Sequence, residues 1–414
     1  MKNIGKVVAI SAICAMSLEA SGYKIPEQSL SAVALGAANV AAVKGADASY
    51  YNPANMAWMS SGYHLDLALT YINLPKVKFD GTAGATPLQS TGTSKSETEH
   101  FLLPTGHLVT KEYYENWRFG LSIVAPGGLS KRWDTAPGRD FAQDFTLKII
   151  EVNPTAAYKV NDKFAVGFGL RAIYTDGVVK SDADYSPLGN LSRDMNGDSI
   201  DYGFNLALSF KPVEDITLAA TYRSKVDLTV KGNAKLLSPL GTSYNGKANV
   251  TIPLPAVLTL AAAKKFNNTT IEAVYERVFW SKYKNLDFGY ATSLGDPFLI
   301  DAFDEPSEKN WKDVDTYRLG LTHEYNHKLT LMAGIGIDKN PAPEKTLGFE
   351  LPDSDAMIYS AGFKYKITKD LDIGLAYLMS DKKSRTIRNN DNGTDGKFKD
   401  SAAHLVSTGI SYRF

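Results

Sequence analysis

Beyond about residue 60 the chain is patterned with a period of two. Tyr202, Phe204, Leu206, Leu208 and Phe210 alternate with Gly203, Asn205, Ala207 and Ser209. Val166, Phe168, Leu170 and Tyr174 alternate with Ala165, Gly167, Gly169 and Arg171. Val406, Thr408, Ile410, Tyr412 and Phe414 alternate with Leu405, Ser407, Gly409, Ser411 and Arg413. Successive side chains of a strand point to opposite faces, so these runs predict strands with one apolar face and one small or polar face. Brief polar turns fall at Asn161-Asp162-Lys163, 212–215, 266–268, Asn326-His327-Lys328 and Thr368-Lys369-Asp370, and a longer one near 111–116. Between them lie long segments rich in Gly, Ser, Asp and Pro, at about 74–97, 127–144, 180–196, 232–247, 284–311, 339–354 and 383–399. Six short turns and seven long loops make fourteen strands, an even number that returns the chain to the side where it entered. Short turns on one side and long loops on the other are the asymmetry of outer-membrane barrels.

A soluble sandwich would show the same alternation, with the apolar face as its core. Three features favour the barrel. The strands run to about ten residues or more, and Phe414, with Tyr412 two before it, places aromatics on one face of the last strand. The third is export. Lys2 and Lys6 precede an uncharged run, 7–18, and Glu19-Ala20 leads into Ser21. A basic start, a short apolar stretch and a small residue at the cleavage position read as a signal peptide over 1–20, too short to span a bilayer as a helix.

Composition narrows the chemistry. The 414 residues carry 45 basic and 45 acidic side chains, which gives no electrostatic ground for nucleic acid as a partner. A mean hydropathy of −0.20 excludes a helical membrane protein. The single cysteine, Cys14, lies in the segment expected to be removed, so a disulfide scaffold, a thiol nucleophile and a thiolate metal site are excluded. The six histidines do not cluster, and His323 and His327 fall on a strand end and a turn rather than on a helix. Asp194-x-Asn196-x-Asp198 resembles the start of a calcium loop but lacks the Gly at the sixth position and the closing Glu. No Ser-His-Asp order, carboxylate pair or phosphate-binding loop stands out. The chain is therefore expected to be no enzyme and to hold no cofactor or metal.

Residues 21–60 do not alternate. An Ala-, Ser- and Val-rich stretch leads through Gly45-Ala46-Asp47 to Tyr50-Tyr51-Asn52-Pro53-Ala54. A barrel this wide leaves a lumen, and a segment placed before the first strand can fold inside as a plug. The expected fold is all-β: a 14-stranded antiparallel transmembrane β-barrel over 61–414 with an N-terminal hatch, 21–60, in its lumen. The alternative for 21–60 is a periplasmic leader without structure.

With these residues in view the sequence resembles the FadL/TodX family of outer-membrane long-chain fatty acid and hydrocarbon transporters. Ser21-Gly22-Tyr23-Lys24 looks like the family's mature start, and Asn52-Pro53-Ala54 matches its hatch motif. Thr221-Tyr222-Arg223-Ser224 with Lys231-Gly232-Asn233, Tyr317-Arg318-Leu319-Gly320-Leu321, and Asp338-Lys339-Asn340-Pro341-Ala342-Pro343 followed by Leu351-Pro352-Asp353 follow in the family's order. The resemblance implies a hatch-closed barrel in a Gram-negative outer membrane. Ligand would be captured among extracellular loops, pass to a pocket inside, and leave sideways into the bilayer at a kinked third strand.

Pro126-Gly127-Gly128 are the candidates for that kink. Proline donates no ladder hydrogen bond, and glycine adds neither side chain nor restraint, so inside a strand they should break pairing. A lateral exit spares an acyl chain the cost of entering water, roughly 0.8 kcal/mol per methylene. The capture surface is expected at Leu188 and Leu240, in the repeated Ser-Pro-Leu-Gly of two loops, and at Phe298 and Phe303. Family members hold a carboxylate with basic side chains inside the barrel, and Lys180, Lys309 and Lys312 are the candidates here, although the aligned position near Lys180 is Ser181. The expected function is diffusive uptake of hydrophobic compounds, foremost long-chain fatty acids. An aromatic hydrocarbon channel is the alternative within the fold. An adhesin or structural barrel and a general porin lie outside it. Further partners are outer-membrane lipid with lipopolysaccharide and the barrel assembly machinery, which would read Tyr412 and Phe414. A monomer is the default.

Overall fold

The computed structural model describes residues 22–84 and 89–414; the expected signal peptide, with Cys14, lies outside them. Fourteen strands form the wall. They are β1 (His64–Leu74), β2 (Glu99–Val109), β3 (Trp117–Lys131), β4 (Asp144–Lys159), β5 (Phe164–Asp184), β6 (Asn190–Val213) and β7 (Ile216–Arg223, continued as Val226–Leu237). There follow β8 (Ser243–Leu254, continued as Val257–Phe266), β9 (Thr269–Val278), β10 (Val314–Glu324), β11 (Leu329–Asp338), β12 (Ala356–Lys366), β13 (Leu371–Lys382) and β14 (Ala402–Arg413). Each pairs antiparallel with the next, and β14 closes on β1, His64 opposite Arg413 and Asn73 opposite His404. The breaks in β7 and β8, at Ser224-Lys225 and Pro255-Ala256, lie side by side in the register, and Pro255 has no N–H for the ladder.

Burial decides between barrel and sandwich. The apolar face is the exposed one: Leu170 is 64% accessible while its neighbour Arg171 is 2%. Tyr202, Phe204, Leu206, Leu208 and Phe210 are all exposed, and Asn205 and Ser209 are buried. A soluble sandwich would invert this, so the greasy outer surface needs a bilayer as its solvent.

The six short turns fall where the polar punctuation placed them, and two of the expected long loops do not exist. Segments 180–196 and 232–247 are mostly strand. β5 and β6 pair without interruption out to Asp184 opposite Asn190, and β7 and β8 out to Leu237 opposite Ser243. Their Gly- and Asp-rich composition reflects strand standing beyond the apolar belt, where pairing continues but no lipid demands apolar side chains. The third strand also runs into the expected 127–144 loop, ending at Lys131. Above the wall, 78–83, 90–95, 385–387 and 395–399 form a small sheet over a cluster of Phe79, Trp133, Phe141, Phe349 and Phe398.

Residues 22–59 fill the lumen. Two short helices, α1 (Leu30–Ala34) and α2 (Ala48–Tyr51), lead into a 3-10 turn over Pro53–Trp58. Ser29 caps α1, its Oγ accepting from Ala32 N–H at 3.1 Å. The wall makes room with glycine on the inner face of strand after strand. A Cβ at Gly120 would strike Ser49 and Met56, at Gly167 Pro53 and Ala54, at Gly320 Ala38, and at Gly334 Leu35. The small face read from the sequence is thus the seat of the inner segment.

Candidate functional site

The inner segment is fastened to the wall by charge and by backbone. Glu272 of β9 accepts from the N–H groups of Val40, Ala41 and Ala42 at 2.7, 2.6 and 3.1 Å. Lys24 pairs with Glu276, and Arg318 holds Asp338 at 3.0 Å and the Gly36 carbonyl at 3.2 Å. Arg171 and Arg223 share Glu151, and the Arg223 guanidinium lies 4.3 Å from the Tyr50 ring centre. Asn52 is fully buried and donates to the Val40 carbonyl at 3.1 Å, and Asn55 donates to Ala41 at 2.9 Å. Pro53 opens the 3-10 turn, where its missing N–H costs nothing, and Pro53 and Ala54 sit against Gly167.

The wall is interrupted at β3. Its ladder to β2 has only four pairs, from Gly106 opposite Ile123 to Val109 opposite Gly120. Above them 99–105 pair with β1 alone, and β3 shifts register against β4 between Val124 and Gly127. From Val124 to Lys131 every residue is buried, so β3 here has lost its lipid-facing side and turns inward. The interruption spans about seven residues, roughly 23 Å of strand. Glu97 N–H donates to the Arg132 carbonyl at 2.8 Å, and Arg132 grips Glu99 at 2.6 Å, closing it at the top. The freed β3 edge is taken by the inner segment. Ile25 N–H donates to the Pro126 carbonyl at 2.9 Å, Gly128 N–H to the Tyr23 carbonyl at 2.9 Å, and the Gln28 amide bonds both backbone groups of Ala125.

Beside this edge lies a narrow cavity of about 70 Å³. Its origin is a row in register: Gly177 of β5, Gly197 of β6, Gly232 of β7 and Ala248 of β8. Three missing side chains hollow the inner wall, and Leu129, Leu147, Ile252, Phe288, Trp311 and Tyr23 complete an apolar lining. Lys309 enters it 5% exposed and bonds Glu350 at 2.6 Å. Burial pushes the Glu350 carboxyl up, but Lys309 outweighs it and holds the group below the usual carboxylate range.

The predicted binding residues separate. Of the three lysines only Lys309 lines the cavity. Lys180 lies on the outer face and pairs with Asp194 at 3.2 Å, because one step along a strand reverses the face; the inward residue is Ser181. Lys312 is exposed among outer loops, its N–H on the Pro341 carbonyl. Leu188 and Leu240 are exposed at touching turns, where a Cβ on Gly189 would lie 2.8 Å from the Pro239 carbonyl. Phe298 is half-buried and Phe303 is packed within the cap. Asp194, Asn196 and Asp198 are on a straight strand and cannot wrap an ion as a loop does. Tyr412 and Phe414 face outward, and Phe414 stacks on Tyr63 at 5.4 Å. One residue escaped the sequence reading. Arg193 of β6 lies directly opposite Ser181, between the rings of Phe288 and Phe303 at 5.9 and 5.5 Å. It has no carboxylate partner among the described residues, and its Nε is buried without a hydrogen bond. Only its inward parity and its place beside Met195 could have marked it.

Comparisons with known proteins agree with this architecture. The long-chain fatty acid transport protein of Escherichia coli K12 is 24% identical over 329 residues, covering 67% of this chain and 69% of that protein. A Pseudomonas aeruginosa FadL homologue superposes with a TM-score of 0.83 at 22% identity, covering 95% of this chain and all of that one. The toluene transporter TbuX of Ralstonia pickettii superposes at 0.70 with 21% identity, over 93% and 98% of the two chains. The family of outer membrane protein transport proteins (OMPP1/FadL/TodX) matches residues 11–414, and the chain belongs to that family of the Gram-negative outer membrane.

Proposed function

We propose that this barrel takes up long-chain fatty acids by diffusion, binding them in the glycine-hollowed cavity and releasing them sideways at Pro126-Gly127-Gly128. The observation that carries the reading is Tyr23. Its ring lines the cavity while its carbonyl holds Gly128 on the freed edge of β3. A ligand that displaces the ring therefore pulls on the strap that covers the interruption. Asn52, Pro53 and Ala54 keep the rest of the hatch in place. Lys309, once Glu350 yields it, gives a carboxylate a cation in the cavity, and Arg193 stands behind the lining residue Phe288 as a second. Leu188 and Leu240 form the first contact at the surface.

The Lys309–Glu350 pair favours a second reading. It leaves the cavity lysine neutralised, which suits an uncharged aromatic hydrocarbon. Uptake of radiolabelled oleate by Gram-negative cells lacking their own transporter separates the two, with toluene as competitor. The parallel variant replaces Pro126-Gly127-Gly128 by Thr-Val-Thr. Oleate uptake that the folded variant loses supports the first reading. A folded, surface-exposed native barrel that takes up toluene and no oleate sinks it.

A further inference from the structure

Five neighbouring strands carry an ordered ionic pattern on their outer face, directly above the lipid-facing belt. The belt ends at Ile150, Tyr174 and Ile200, which lie side by side on β4, β5 and β6. One row higher come Lys148, Asp176, Asp198, Lys231 and Asn249, in register across β4 to β8. Two rows above that, Asp144, Lys180, Asp194, Lys235 and Asn245 repeat the arrangement. Between them Asn196, Asn233 and Lys247 complete the face. Adjacent strands are about 4.8 Å apart, so each row is a line of four charges about 14 Å long that ends in an asparagine.

The pattern is not spent within the protein. Lys148 and Lys180 reach Asp176 and Asp194 at 3.7 and 3.2 Å, but Lys231 and Lys235 are exposed and have no ion pair among the described residues. Asp176 and Asp198 face each other directly, an arrangement that repels unless cations stand beside it. The row at the same place on the opposite wall is uncharged. There the row Met379, His404, Asn73 and His100 crosses β13, β14, β1 and β2 without a lysine or a carboxylate.

We propose that the outer face of β4–β8 is a docking surface for lipopolysaccharide, with Lys231, Lys235 and Lys247 holding its lipid A phosphates. The lipid A acyl chains end at the height where this belt ends, and the phosphates there are linked by divalent cations. A surface of lysines interleaved with paired carboxylates is complementary to both components of that layer. A phospholipid phosphate would need a single cation and would leave most of the two rows unused.

Native mass spectrometry of the full-length barrel in detergent tests this. The ligands are bis-phosphorylated lipid A, chemically dephosphorylated lipid A, and phosphatidylglycerol, each with magnesium. The native barrel should hold the bis-phosphorylated form at least tenfold more tightly than the other two. Lys231→Gln with Lys235→Gln and Lys247→Gln should remove that preference, and arginine at the same three positions should restore it. His100→Gln with His404→Gln on the opposite wall should leave it unchanged. Equal retention of the dephosphorylated lipid by the native barrel, which needs no variant, overturns the proposal. So does phosphatidylglycerol bound as tightly as lipid A.

Discussion

Filling the cavity at Gly177 should weaken ligand binding without disturbing the barrel. Among the three glycines of the hollowed row only Gly177 has room. A Cβ there would meet its nearest atoms, Leu147, Thr146 and Val230, at 3.9 Å. At Gly197 it would lie 2.8 Å from the Lys231 carbonyl, and at Gly232 it would overlap the Asn196 carbonyl at 1.8 Å. Valine is a good strand residue, so Gly177→Val should fold at least as well as the native chain. Its isopropyl group takes the space of roughly three ligand methylenes, at about 0.8 kcal/mol each. The loss is about 2.4 kcal/mol, a roughly 50-fold rise in Kd at 1.4 kcal/mol per tenfold. Trp311 lines the cavity, so quenching of its fluorescence by a brominated fatty acid reads the affinity directly. Gly232→Val, by contrast, should fail to give a folded barrel on a heat-modifiability gel. An unchanged Kd in folded Gly177→Val would place the ligand elsewhere and refute the reasoning.

Three further outcomes follow from the same geometry. Arg193→Met removes a cation whose hydrogen-bond partner is the Phe141 carbonyl rather than a carboxylate, and should weaken oleate binding by about 10- to 100-fold, the worth of a charge-assisted hydrogen bond of roughly 1.5–3 kcal/mol. Toluene should stay within twofold, and an equal loss of both would make Arg193 a packing residue only. Glu272→Ala strips the partner from the N–H groups of buried Val40 and Ala41, each costing about 1–3 kcal/mol, and from that of half-buried Ala42. It should raise entry of large antibiotics and proteolysis near Val40; resistance equal to native would show that the segment does not depend on this anchor. Glu350 is held below the ordinary carboxylate range, so its contribution is present above that range and lost as pH falls through its lowered value. Protection from hydrogen exchange in 339–355, taken relative to the intrinsic amide rate at each pH, should stay flat from pH 8 to about 5 and fall only below the ordinary carboxylate range. A fall already at pH 6 would contradict the pair with Lys309.

What the sequence determined is what a period of two determines. Alternation is local, so it set which residues share a face, how many strands there are and where the six short turns fall. The non-alternating stretch before residue 60 was legible for the same reason as something other than wall strand. Where a strand ended was less legible, because pairing holds a backbone extended whatever its composition; hence 180–196 and 232–247 were read as loops. The cavity was illegible altogether. Gly177, Gly197 and Gly232 are 20 and 35 residues apart and become one row only through register. Arg193 gains its meaning from lying opposite Ser181, and Lys180 loses its meaning by pointing the other way. Register is a relation between strands, fixed by closure of the whole barrel around its inner segment. Only the tertiary structure could decide which small residues make a hollow and which charges stand beside it.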